Sequence, residues 1–131
     1  MNYIRASVTS IDTFESITLV GFEAGGEVLV MMALELDSSL QVGSAVSLAL
    51  KATTISLAKE KNAMLSISNQ LPVRIQSIDM GTLLCSVKLL FGDTLMESII
   101  TKNSAVRMGL KADDEVVALI KASDLAIAEV L

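Results

Sequence analysis

The chain has 131 residues, enough for one domain or two very small ones. It is 52% hydrophobic, yet charged or polar residues break every apolar run well short of the roughly 18 residues a membrane-spanning helix needs. Its formal net charge of −5 argues against non-specific binding to DNA, RNA or an anionic membrane, so any anion bound here has to be held by a local pocket.

The opening, Met1-Asn2-Tyr3-Ile4-Arg5, has no apolar segment and no cleavage site of an export signal, so the expected location is the cytoplasm. Tyr3–Ile11 then alternates apolar Ile4, Ala6 and Val8 with Arg5, Ser7 and Thr9, the period of a half-buried strand. Ser16–Phe22 reads as a second strand and Ala24-Gly25-Gly26 as a hairpin turn. Glu27–Leu36 is a third strand, followed by a turn at Asp37–Leu40. Gly43 breaks the chain before a strand at Ser44–Leu50, and Thr53–Ala58 ends the first half. Lys59-Glu60-Lys61-Asn62 is a charged joint, too short for a floppy linker.

The second half repeats the first. Asn69 answers Asn2, and Ser77-Ile78-Asp79 answers Ser10-Ile11-Asp12 at the same offset of 67, while Phe91-Gly92-Asp93 takes the place of the glycine turn. Further on the offset grows to 70, where Lys121-Ala122-Ser123 answers Lys51-Ala52-Thr53. The extra residues fall in Thr101–Leu110. There Thr101 suits a helix N-cap supported by Ser104, and Gly109 suits the left-handed residue that ends a helix. We therefore expect two modules, residues 1–60 and 61–131, each a small β-barrel or Greek key of short strands, with one helix of about two turns in the second.

In both copies a lysine interrupts an apolar strand-like run and is followed by a small residue and a hydroxyl residue. Lys121, the N–H of Ala122, Ser123, Thr101, Ser104 and the helix start are all hydrogen-bond donors, a set suited to a tetrahedral oxyanion. The plainer reading is that Lys121 extends to solvent and Thr101 only caps. With no histidine, a Cys–His nucleophile pair is excluded and a metal-cation site lacks its commonest ligand. Lone Cys85 excludes an intramolecular disulfide and reads as core filler, and the seven methionines read as packing residues.

The Ile-Lys-Ala-Ser run at 120–123, the segment ending Met108-Gly109-Leu110, Asp113-Asp114-Glu115-Val116 and Asn69-Gln70-Leu71-Pro72 together resemble the Mop (TOBE) modules of molbindins. They also resemble the C-terminal tandem modules of molybdate-responsive regulators. The resemblance covers nearly the whole chain and is strongest from Ser66 to Ala128. It implies a mostly β fold of two tandem OB-like five-stranded Greek-key barrels (di-Mop), assembled as a homo-oligomer, dimer or trimer, with molybdate or tungstate held between subunits. Carried over, the oxyanion residues are Ser66, Ser68 and Asn69, Thr101 and Ser104, and Lys121 and Ala122, with Ser123 beside them. The family's arginine is replaced here by Ser68, which removes one positive charge unless Arg107, Lys102 or another subunit supplies it. The first copy has Leu34 in place of Thr101 and no helix. It is expected to be mainly structural, with Lys51 and Ala52 at a secondary site.

The expected function is therefore non-enzymatic binding of molybdate or tungstate for intracellular storage, homeostasis or sensing. The alternative is a Mop-fold interaction or regulatory module that has lost the anion. A nucleic-acid-binding OB surface needs stacking aromatics and a basic groove, and this acidic chain is 3% aromatic. An enzyme would need a nucleophile beside a base or a phosphate-cradling glycine loop, and neither motif is present.

Overall fold

The computed structural model describes all of residues 1–131 and is built almost entirely of strands. In chain order these are β1 (Asn2–Phe14), β2 (Ile17–Ala24), β3 (Glu27–Ala33), β4 (Ala45–Leu50), β5 (Ser56–Ala58), β6 (Asn69–Met80), β7 (Leu84–Phe91), β8 (Thr94–Thr101), β9 (Glu115–Ile120) and β10 (Ala126–Val130). One helix, α1 (Lys102–Met108), follows β8. Short 3-10 turns at Ala52–Thr54 and Ala122–Asp124 follow β4 and β9.

The alternation seen in the sequence sets the inner face. Ile4, Ala6 and Val8 of β1 and Leu71, Val73 and Ile75 of β6 point into one continuous apolar core that runs through both halves. The offset of 67 reappears as geometry. β1 and β6 each carry a bulge against the next strand, between Val8 and Ser10 and between Ile75 and Ser77. The later offset of 70 does the same: Gly43 and Asp113 both adopt positive φ, and each donates its N–H to the strand residue before the bulge, Val8 or Ile75, at 2.8 Å.

All pairing is antiparallel, in two five-stranded OB-like sheets ordered β10-β4-β1-β2-β3 and β5-β9-β6-β7-β8. Each barrel takes its last strand from the other half of the sequence. β5 pairs with β9, placing Ser56 against Leu119, and β10 pairs with β4, placing Ala126 against Ala49. The chain crosses between barrels at the two lysine signatures. Lys51 ends β4, and the turn after it packs on β8; Lys121 ends β9, and its turn packs on β3. Ile55 and Leu125, the first apolar residues past each turn, are buried and fix the crossings. The lysines thus do not interrupt strands, as the apolar runs suggest, but end them. The small and hydroxyl residues that follow form a turn.

A second device ties the halves. The Asn69 side chain lies in full burial and pairs with the backbone of Val30, accepting from its N–H at 2.8 Å and donating to its carbonyl at 2.9 Å. Asn2 does the same with Glu97, at 2.9 and 2.8 Å. Val30 and Glu97 are themselves equivalent positions, so the clasp repeats with the module. It satisfies backbone groups on the free edges of β3 and β8 that would otherwise be left without partners.

Candidate functional site

Thr101 closes β8 and caps α1 as the sequence suggests. Its backbone is extended (φ −71°, ψ 148°), and its hydroxyl oxygen accepts from the Ser104 N–H at 3.1 Å. The same hydroxyl donates to Ser104 Oγ at 2.9 Å, and Arg107, one turn further on, approaches Ser104 Oγ at 3.4 Å. Gly109 ends the helix in the left-handed region (φ 61°), its N–H reaching the Ala105 and Val106 carbonyls. Two hydroxyls and a guanidinium therefore stand together at the helix start, with Ser104 half-buried and Thr101 and Arg107 exposed. Arg107 places a positive charge beside the hydroxyls.

Lys121 stands exposed at the start of its turn, with half-buried Ala122 and exposed Ser123 after it. Its carbonyl accepts from the Asp124 N–H at 2.9 Å. The ion pairs of the chain join Lys59 to Asp114, Lys61 to Glu27, Arg74 to Asp113 and Lys88 to Glu97, so neither Lys121 nor Lys51 is neutralised by a carboxylate. Lys51 lines a cleft of about 260 Å³ with Met1, Thr54, Ser123 and Asp124, where the signature turns of the two halves meet.

The pairing register separates the groups within one chain. Ile120 pairs with Asn69 at the start of β6, whereas Thr101 pairs with Leu84, next to the Cys85 that pairs with Met80 at the end of β6. Lys121 and the Thr101–Ser104 cluster thus belong to opposite ends of that strand, and no hydrogen bond joins them. Ser66 and Ser68 lie exposed in the segment before β6, close to the Lys121 end. Asn69 is committed to its clasp on Val30. That role, and that of Gln70, whose amide holds Asn62 of the joint and Ile67 just before β6, left no signal in the sequence beyond the repeat of asparagine at 2 and 69.

On the outer face of β7 and β8, Ser86 and Lys88 both donate to Glu97, the lysine at 3.1 Å. The Ser86 bond, then the Lys88 bond, hold the Glu97 carboxyl below its ordinary pKa. Cys85 is buried; desolvation, then the Asp79 charge, push its thiol up, which keeps it protonated and poorly nucleophilic. No helix is long and apolar enough to cross a membrane.

Comparison with known proteins bears on the same half. A family model described as the TOBE domain matches residues 65–127. No curated protein sequence matches the chain. Chains of solved structures do match, among them a crystal structure of the cytoplasmic molybdate-binding protein ModG with molybdate bound. It is 27% identical to this chain, with a TM-score of 0.87, covering 96% of this chain and 94% of that one.

Proposed function

We propose, for a chain whose residues 65–127 form a TOBE domain and whose whole fold is that of a Mop/TOBE, molbindin-like protein, that it binds molybdate or tungstate without transforming it. In this reading the chain stores, buffers or senses the oxyanion inside the cell. Its modules are the sequence units 1–60 and 61–131. The single observation that carries the reading is the pair of unneutralised lysines at the barrel crossings, of which Lys121 belongs to the half that also holds the Thr101–Ser104–Arg107 cluster.

Lys121 supplies a full positive charge, and the backbone N–H of Ala122 and the hydroxyl of Ser123 supply directed donors to a tetrahedral dianion. Ser66 and Ser68, in the exposed segment leading into β6, add hydroxyls at the same end. Asn69 acts there mainly by fixing that segment to β3 through its clasp on Val30. Thr101, Ser104 and Arg107 of another copy close the site, because one chain keeps its own at the far end of β6. The protein is therefore a homo-oligomer, dimer or trimer, when loaded. Lys51 and Ala52, with Leu34 where the second half has Thr101, form at most a secondary site.

Titration calorimetry with molybdate, tungstate and sulfate tests the reading. The expected result is binding of molybdate or tungstate in preference to sulfate. Loss of a charge-assisted hydrogen bond, about 1.5–3 kcal/mol, predicts that Lys121→Ala weakens binding by about ten- to a hundred-fold. Unchanged affinity in that variant contradicts the proposed site. Failure of the wild-type chain to bind any of the three anions at millimolar concentration contradicts the function.

A further inference from the structure

Each barrel has a seam where the two outermost strands of its sheet meet without pairing. The outermost strands are β3 and β10 in the first sheet and β8 and β5 in the second. The second seam is sealed. Ser98 of β8, wholly buried, donates its hydroxyl to the Ile55 carbonyl at 2.6 Å, and β5 lies beside β8. At the offset of 67 the first half has Met31 instead, which has no hydroxyl to offer the matching crossing at Leu125. That seam stays parted. A groove of about 380 Å³ runs along it, with Leu36, Ile127 and Val130 among its apolar walls and the carboxylates of Glu35, Asp37 and Glu129 beside them.

The edge of β3 next to this groove is a template for a further strand. The Asn69 clasp shows that the N–H and carbonyl of Val30 point away from β2. Backbone groups alternate in direction along an antiparallel strand, so those of Met32 point the same way, and β3 has no strand on that side to take them. Proteins ordinarily blunt such an edge with lysine, proline or a bulge. Beyond the clasp, β3 has none of these. Its register against β2 is unbroken, and its exposed side chains are Val28 and Met32, continued by Leu34. The equivalent edge, on β8, carries charged Glu97 and turns directly into α1.

Charge selects the occupant. None of the three carboxylates is ion-paired, and no lysine or arginine lines the groove. Asp37 accepts from the N–H and hydroxyl of Ser39, which ties it to its own turn, whereas Glu35 and Glu129 are exposed and face no partner. Every strand of this chain already belongs to a sheet, so the chain has no loose strand of its own to offer. We infer that the β3 edge of the first barrel binds an extended segment of a different protein, added as a strand beside Met32, in which apolar residues alternate with lysine or arginine. Main-chain bonds to Met32 supply affinity, and alternate side chains supply selectivity. Those facing inward meet Leu36, Ile127 and Val130, which already pack on the core; those facing outward pass Glu35 and Glu129. The clasp bounds the site, because Asn69 occupies the edge at Val30. The site shares no residue with the Lys121 and Thr101 groups, so it stands whether or not the oxyanion reading does.

The test uses the full chain, without oxyanion, and a capped peptide of about ten residues alternating lysine and valine. Binding is followed by amide NMR shifts and hydrogen exchange. Saturable shifts at Met32, Leu36 and Ile127 are expected, with slowed exchange of the Met32 amide. Two control peptides, one with glutamate for every lysine and one with an N-methylated backbone, are expected not to bind. Glu35→Lys with Glu129→Lys changes exposed side chains only, should leave the circular dichroism unchanged, and should weaken binding by about ten-fold or more. Shifts scattered over the acidic surface with unchanged Met32 exchange, equal binding of either control peptide, or unchanged affinity in the folded double variant overturns the inference. If that variant does not fold, the two control peptides decide the matter on the wild-type chain. A Met32 amide already protected in the peptide-free chain shows the edge to be covered by another copy, and overturns the inference too.

Discussion

The two halves of the chain share one strand plan and diverge at one place. Both have the bulge in the long strand, the asparagine clasp, the positive-φ residue before the fourth strand and the lysine at the crossing. They part at the end of the third strand. There the first half runs from Leu34 into an irregular segment that buries Leu40, and the second has Thr101, α1 and Gly109 before Leu110. The shared features are those that close and interlock the barrels. The divergent ones gather two hydroxyls and a guanidinium in the second half, where the first has the exposed side chain of Leu34. The two halves thus share one scaffold, and the hydroxyl and guanidinium cluster stands in only one of them.

The comparison is broken most severely through the clasps. Asn69→Ala leaves the N–H and carbonyl of half-buried Val30 without their partner; at about 1–3 kcal/mol for each fully buried group left unsatisfied, reduced by the partial access of water to this pair, the expected loss is about 2–4 kcal/mol. Asn2→Ala, at a position slightly more open to water (7% against 0% exposure), should cost less. Urea unfolding of the two variants measures both, and equal, near-zero losses would mean that the clasps are incidental. The helix is the next level. Thr101→Ala removes the cap and should cost about 1 kcal/mol, whereas Leu34→Ala at the equivalent position, 74% exposed, should be close to neutral in the same assay.

A smaller difference lies at the paired positive-φ positions. Asp113→Gly puts in the second half what the first has at Gly43. Glycine adopts that conformation without the side-chain penalty, so a gain of about 0.5 kcal/mol is expected, partly offset by loss of the exposed Arg74 pair. The smallest effect is the pH response of Glu97, whose equivalent is Val30. Ser86 and Lys88 lower its pKa in the folded chain, so its contribution is fully present above the ordinary glutamate pKa and is lost as pH falls through the lowered value. Glu97→Gln should therefore flatten the fall of melting temperature between about pH 5 and 3. An unchanged acid slope would show that the carboxylate gains nothing on folding.

Much of this was legible beforehand. Alternation in Ile4–Val8 and its echo gave the strands and the inner face, and Thr101, Ser104 and Gly109 gave the helix with both caps. The lysine signatures marked the right residues but not their setting. The turn after each lysine is stabilised by burial of Ile55 and Leu125 in the opposite barrel, a long-range effect that a local pattern cannot report. The exchange of β5 and β10 was hidden for a related reason: the two strands are near-copies, so neither sequence shows which sheet it joins. The asparagine clasp was equally silent, since an asparagine at a strand start reads as a turn residue unless its tertiary partner is known. Of the candidate site, the sequence named the groups, and the fold added that one chain keeps Lys121 and Thr101 apart.

The most direct test of the central claim, that copies of this chain jointly enclose an oxyanion around Lys121, is the anomalous scattering map of crystals grown with tungstate. The account predicts a strong peak within hydrogen-bond reach of the Lys121 ammonium and the Ala122 N–H of one copy, with Thr101 and Ser104 of its neighbour on the other side. A map in which Lys121 faces bulk solvent, or in which the peak lies away from both groups, would contradict it.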